Sequence, residues 1–176
     1  MPSNLDKVIA CLKFFGLHPR MYEYRWRFLT QKTVFLAKAL GMDIDYDFTI
    51  YVAGPYSREL NCDYYPDEVK ARIDTLQTDY ELTLGDITVL EKIKNCRSLF
   101  ENQSLMEATS TAVFLMKQNP NATDDSLFVD LKSLKPHVSD SDRVVGITKA
   151  KELLFKPEYM TDELKREMDA WDQLEG

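Results

Sequence analysis

The chain has 176 residues, of which 44% are hydrophobic and 29% are charged, a composition that predicts one globular domain rather than a disordered chain. Its three widely spaced cysteines exclude a disulfide framework and a cysteine zinc site, and its net charge of −7 argues against a general nucleic-acid binder. No apolar run reaches the length of a membrane span and the N-terminus lacks a secretory pattern. We therefore expect a cytoplasmic protein with no membrane partner.

The charge is unevenly distributed along the chain. Residues 1–40 hold seven basic and two acidic residues, so the acidic excess lies in the remainder. Such a protein could present a basic face to an acidic partner. The alternative is that the N-terminal helices are stabilised by the acidic C-terminal half.

Helical apolar spacing opens the chain. Ser3 and Asp6 match a capping box, which predicts a first helix that ends at Gly16. A second helix is predicted over residues 24–40, and Gly41 is its natural stop.

The apolar period then changes from helical to two. This alternation predicts a half-buried strand over residues 46–52, with a second short strand over residues 80–84. Between them, Ser57 is a plausible cap for a third helix, which Pro66 interrupts. Helical stripes in the second half predict helices over 86–100, 105–117, 123–134 and 139–154.

The predicted fold is mainly α with a small β element (α+β). We expect one compact domain over residues 1–156, in which a winged-helix-like part (about 1–84) packs on a helical layer (about 85–156). Residues 157–176 are predicted to form an acidic amphipathic tail helix. Its apolar stripe includes Leu164, Met168 and Trp171, a spacing typical of helices that dock in grooves. We expect it to dock on its own domain, the alternative being another chain.

Lys32 lies in the middle of the apolar stripe of the second helix. A charge there costs free energy unless it is paired or reaches water, so a structural pairing is favoured over a catalytic role. Gln31, at the edge of the same stripe, is placed to hydrogen-bond the neighbouring strand.

Two further segments are candidates for binding. The turn at residues 54–57 precedes a helix and could hold a phosphate with help from Arg58, although a simple strand-to-helix turn is the favoured interpretation. A basic and aromatic cluster includes Tyr24, Arg25, Trp26 and Arg27. It could stack bases, form an interaction hot spot, or simply pack as the start of a helix.

No catalytic constellation is visible in the sequence. The two histidines are isolated, no nucleophile and base pair is suggested, and no glycine-rich nucleotide loop is present. We therefore predict a protein that is not an enzyme and that has no cofactor and no metal.

Two motifs resemble a known family. The Gln31-Lys32 pair, followed by Tyr51-Val-Ala-Gly54-Pro55-Tyr56-Ser57, is similar to the YwgA-like family of small prokaryotic proteins, which is distantly related to the Panacea (SocA-like) antitoxin domain. The resemblance implies that these seven positions, Gln31, Lys32, Tyr51, Gly54, Pro55, Tyr56 and Ser57, form a shared structural centre. It further implies an antitoxin-like domain that neutralises its target by direct contact or through regulated degradation.

These considerations lead to two functional hypotheses. The first is a non-enzymatic interaction module that neutralises or adapts a partner protein, either toxin-like or a subunit of a complex. The second is a winged-helix nucleic-acid-binding regulator or phage-defence component. A homodimer is compatible with both.

Overall fold

The computed structural model of this chain describes residues 3–155 and 162–175. Its helices are α1 (Asn4–Phe14), α2 (Tyr24–Ala39), α3 (Arg58–Tyr64), α4 (Asp67–Asp74), α5 (Leu84–Lys94), α6 (Ser98–Glu101), α7 (Gln103–Gln118), α8 (Asp124–Leu134), α9 (Asp140–Leu154) and α10 (Asp162–Glu175). The strands are β1 (Thr49–Tyr51) and β2 (Gly54–Tyr56). The prediction of a mainly α fold with a small β element is confirmed. Within the described ranges, no helix is long and apolar enough to cross a membrane.

Several helix starts follow from their caps. The Ser3 hydroxyl accepts from the Asp6 N–H while the Asp6 carboxylate accepts from the Ser3 N–H, which completes the predicted capping box. Ser57 caps α3 through the Leu60 N–H, as expected. The helix predicted over residues 86–100 is instead divided, because α5 ends at Lys94 and α6 follows separately.

The β element is a hairpin rather than two distant strands. β1 pairs antiparallel with β2, with Thr49 opposite Tyr56 and Tyr51 opposite Gly54. The strand predicted over 46–52 is thus shorter, and the strand predicted over 80–84 is wrong. Gly54, at φ +98°, lets the chain reverse after a two-residue loop, a conformation that costs glycine little. Thr83 instead begins α5 with a capping box.

The hydrophobic core is built around α7. This helix packs against α2, α8, α9 and β2, and every residue from Leu105 to Val113 is buried. Its run of small side chains admits a close approach by α9, where a Cβ at Gly146 would lie 2.9 Å from the Ala108 Cβ. α7 also contacts β2, which brings polar residues of α7 beside the hairpin.

The domain limits proposed from the sequence stay a prediction. The chain runs α1, α2, hairpin, α3, α4, and not in the order helix, helix, strand, helix, strand from which the winged-helix-like part was predicted. α10 is a helix within the predicted tail. Residues 157–161, where the tail was expected to start, lie outside the described residues.

Candidate functional site

Gln31 anchors the segment that follows β2. Its Oε1 accepts from the Ser57 N–H at 2.8 Å, and its Nε2 donates to the Ser57 carbonyl at 2.9 Å. The same Nε2 lies 3.3 Å from the Tyr64 hydroxyl. One amide side chain of α2 thus bonds both backbone groups of a fully buried residue, whose carbonyl also accepts from the Asn61 N–H at 3.1 Å.

Lys32 bonds the hairpin at Pro55, two residues before Ser57. Its Nζ donates to the Pro55 carbonyl at 2.7 Å, and the ammonium lies 5.1 Å from the centre of the Phe28 ring. The residue is only 2% exposed, and this burial lowers its pKa to about 7, with Glu107 opposing the shift and Lys135 adding to it. Because the amine is closed off from solvent and bonded to the backbone, its visible role is to fix the hairpin.

A second buried lysine supports the hairpin loop from the other side. Lys135, at the C-cap of α8, is 1% exposed and donates to the carbonyls of Tyr51 and Val52. Burial lowers its pKa, and Glu107 opposes that effect. The three carbonyl groups of the hairpin bonded by these two lysines are those of Tyr51, Val52 and Pro55.

Glu107 of α7 supplies a negative charge near both buried lysines. It is 6% exposed, and its Oε1 lies 3.7 Å from the Lys135 Nζ and 2.8 Å from the His137 Nε2. The His137 side chain is 54% exposed, so the cluster reaches the surface through the imidazole. A single buried acid between two buried lysines offsets part of the cost of their desolvation.

The centre is closely packed around Gly54. A Cβ at this position would lie 3.0 Å from the Thr111 Oγ1 and 3.4 Å from the Lys32 Nζ. The glycine therefore serves the turn by its backbone angle and also lets α7 and the lysine approach. We name this group, comprising Gln31, Lys32, Gly54, Ser57, Glu107 and Lys135, the hairpin anchor.

The predicted basic and aromatic cluster is divided by the fold. Tyr24 is exposed, whereas Trp26 packs partly on the core with the Arg25 guanidinium 5.3 Å from its ring centre. The Arg27 Nη1 donates to the carbonyls of Met21 at 3.0 Å and Tyr22 at 2.7 Å. Arg27 is thus already engaged by the loop that precedes α2.

The outer surface of the hairpin is apolar and aromatic. Val52 at its tip is 86% exposed and Tyr51 is 46% exposed. The Tyr51 and Tyr56 rings have their centres 4.8 Å apart. Pro55 is buried, and Arg58 is exposed at the first position of α3.

The remaining predicted residues lie in the tail helix. Met168 is half-buried, Trp171 is 60% exposed, and both line one cavity with α9. The side chain of Leu164 lies outside the described residues. These tail residues are not brought to the hairpin anchor.

Sequence reasoning found Gln31 and Lys32 but did not assign a role to Glu107 or His137. Glu107 stands as a lone charge in the otherwise apolar and small run of α7, which is the same signal that identified Lys32. Among the described residues, no three His, Cys, Asp or Glu side chains are grouped as a metal site requires.

Comparison of the chain with family models, curated proteins and solved structures gives no match.

Proposed function

We propose that this protein is an interaction module that binds a partner protein directly, in the manner of an antitoxin, through the outer face of its β-hairpin. One observation carries the proposal. An exposed tip, made of Tyr51 and Val52 with the half-buried Tyr56 ring beside Tyr51, is mounted on a hairpin whose backbone is fixed from behind by Gln31 and two buried lysines.

Rigid support matters because binding costs less when the binding surface is already ordered. Val52 is 86% exposed, so its side chain buries little apolar area on folding and is available to a partner at the tip of the fixed turn. Tyrosines provide large contact areas with few rotatable bonds and are enriched in interaction hot spots. Their place on the hairpin favours a protein partner.

Further exposed tyrosines extend this character. Tyr24 is exposed, and burial of part of its ring together with the Glu107 carboxylate raises its pKa. Tyr22 and Tyr65 are also exposed, and the Lys70 Nζ lies 5.1 Å and 5.2 Å from the centres of their rings. Such cation and aromatic surfaces suit a partner with mixed polar and apolar character.

The nucleic-acid alternative has weaker support. The chain carries a net charge of −7, and Arg27 already donates to two backbone carbonyls. Nucleic-acid binding would rely on Arg25, Arg58 and Lys70, and its affinity would fall steeply with salt. We also propose that the protein acts in the cytoplasm, which the three free cysteines support.

The test uses a tagged full-length chain in its own host, with nuclease treatment of the captured material. Val52→Asp removes the apolar tip, and Leu84→Asp, at 85% exposure on α5, is the matched control. We expect a stoichiometric protein partner that survives nuclease, is retained by Leu84→Asp, and binds Val52→Asp at least about tenfold more weakly.

Two outcomes would contradict the proposal. Equal retention by both variants would show that the hairpin tip is not the binding surface. Loss of all bound material after nuclease would favour the nucleic-acid alternative. Equal thermal unfolding of the two variants is the control for intact folding.

A further inference from the structure

A groove lies on the face of α9 that points away from α7. The buried side of α9 carries Gly146, Ile147, Ala150 and Leu153. The other side exposes Val144 and Val145, which are 55% and 38% accessible. Apolar residues on both sides indicate that α9 has two packing faces, of which α7 and α8 occupy one.

The groove is a cavity of about 940 Å³ between the end of α5, the outer face of α9 and α10. On α9, its lining follows positions 144, 145, 148, 149 and 152, which is one helical face. On α10, it includes Met168, Trp171 and Asp172, again one face. Two helical faces that each combine apolar and polar side chains therefore line the same space without filling it.

Charge matches the two sides of the groove. α10 contains six acids and two bases, and Asp172 faces the cavity. Lys92 of α5 and Lys149 of α9 line the opposite walls, together with Glu152, whose carboxylate lies 3.7 Å from the Lys149 ammonium. An acidic amphipathic helix is thus attracted to this groove by charge and by apolar area.

The lengths of α9, α10 and the chain that connects them allow the two helices to pack side by side. α9 has 15 residues and α10 has 14, so both are about 21–23 Å long. The chain from Phe155 to Asp162 can span at most about 25 Å, which allows the two helices to lie antiparallel.

We propose that α10 is the resident occupant of this groove and closes it by packing Met168 and Trp171 between α5 and α9. The groove is then a binding site for an acidic amphipathic helix, held by the chain's own tail. This proposal is independent of the hairpin surface, since it involves none of the hairpin residues.

Hydrogen exchange of the full chain, followed by mass spectrometry, tests the proposal directly. A helix of this length is marginal in water when it is isolated, so slow exchange in residues 162–175 reports docking. We expect those amides to exchange at least about tenfold more slowly than in an unstructured reference.

Matched variants identify the contact. Trp171→Ala should remove the protection of α10, whereas Leu174→Ala, which removes an exposed apolar side chain that does not line the cavity, should preserve it. From the other wall, Val144→Asp should remove the protection, and Val129→Asp, on the exposed face of α8, should not. The tail variants do not depend on the folding of the compact domain.

Three results would overturn the proposal. The first is exchange of α10 at the reference rate in the unmodified chain. The second is equal protection in Trp171→Ala and Leu174→Ala. The third is protection that appears only at protein concentrations where sedimentation detects a dimer, which would assign the groove to the tail of a second copy.

Discussion

The side-chain amide of Gln31 forms two hydrogen bonds with the backbone of Ser57, as a paired β-strand would. Its Oε1 accepts from the Ser57 N–H at 2.8 Å, and its Nε2 donates to the Ser57 carbonyl at 2.9 Å. This contact joins α2 to the end of the hairpin at the point where α3 begins. It ties the most buried part of the motif to the helix that carries the neighbouring lysine.

Removal of this amide should destabilise the protein. Gln31→Ala leaves the buried Ser57 N–H without its partner, which costs about 1–3 kcal/mol, while the Ser57 carbonyl keeps its bond from the Asn61 N–H. We therefore expect the free energy of unfolding in urea to fall by about 1–3 kcal/mol. Gln118→Ala, at an exposed position near the end of α7, is the control and should change it by less than about 0.5 kcal/mol. Similar values for both variants would show that the contact contributes little.

Gly54 should tolerate substitution less well than another glycine with a comparable backbone. Gly54 and Gly41 have φ angles of +98° and +113°, so alanine is strained at both. A Cβ at Gly54 would also press on Thr111 and Lys32, whereas a Cβ at Gly41 meets nothing within 4 Å. We expect Gly54→Ala to lower the free energy of unfolding by about 1–3 kcal/mol more than Gly41→Ala. An equal effect of the two variants would show that only the backbone angle of Gly54, and not its close contacts, matters for stability.

The contact of α7 with α9 gives a second glycine comparison. Alanine favours a helix over glycine by about 1 kcal/mol, which alone would stabilise both Gly85→Ala and Gly146→Ala. At Gly146, however, the new methyl group would lie 2.9 Å from Ala108 and 3.1 Å from the backbone of α7. We expect Gly146→Ala to lower the thermal unfolding temperature and Gly85→Ala to leave it unchanged or raise it. A more stable Gly146→Ala would mean that the two helices separate easily.

Lys32 should make stability depend on pH in a defined direction. Its pKa is about 7 in the folded protein and 10.5 ordinarily, so between these values the unfolded chain binds a proton that the folded chain does not. The free energy of unfolding therefore rises with pH across this range, by up to about 1.4 kcal/mol per pH unit, and the cost of the buried charge is complete below pH 7.

Lys32→Met removes this dependence. Urea unfolding at pH 7, 8 and 9 should show a steeper rise for the unmodified protein than for Lys32→Met, while Lys135 contributes to both. Parallel slopes would show that Lys32 keeps its ordinary pKa in the folded state.

The local elements could be predicted because their causes are local. A capping box at Ser3, a cap at Ser57 and a period of 3.6 in the apolar residues act within a few positions of the chain. Lys32 was identified as unusual for the same reason, since a charge within an apolar helical stripe is visible without a partner. The short strand at residues 80–84 was predicted wrongly, because alternation over five residues also suits an extended loop before a helix cap.

The amino-acid pattern predicts a mainly helical chain, the starts of most helices, and the position of Gln31 and Lys32 on the inner side of α2. Their bonding partners emerge only in the folded chain, because the carbonyl of Pro55 and the backbone of Ser57 are over twenty residues away. The fold also placed Glu107 and Lys135 beside the same hairpin. Long-range pairing depends on how whole helices pack, and the spacing of residues along the chain carries no record of that packing.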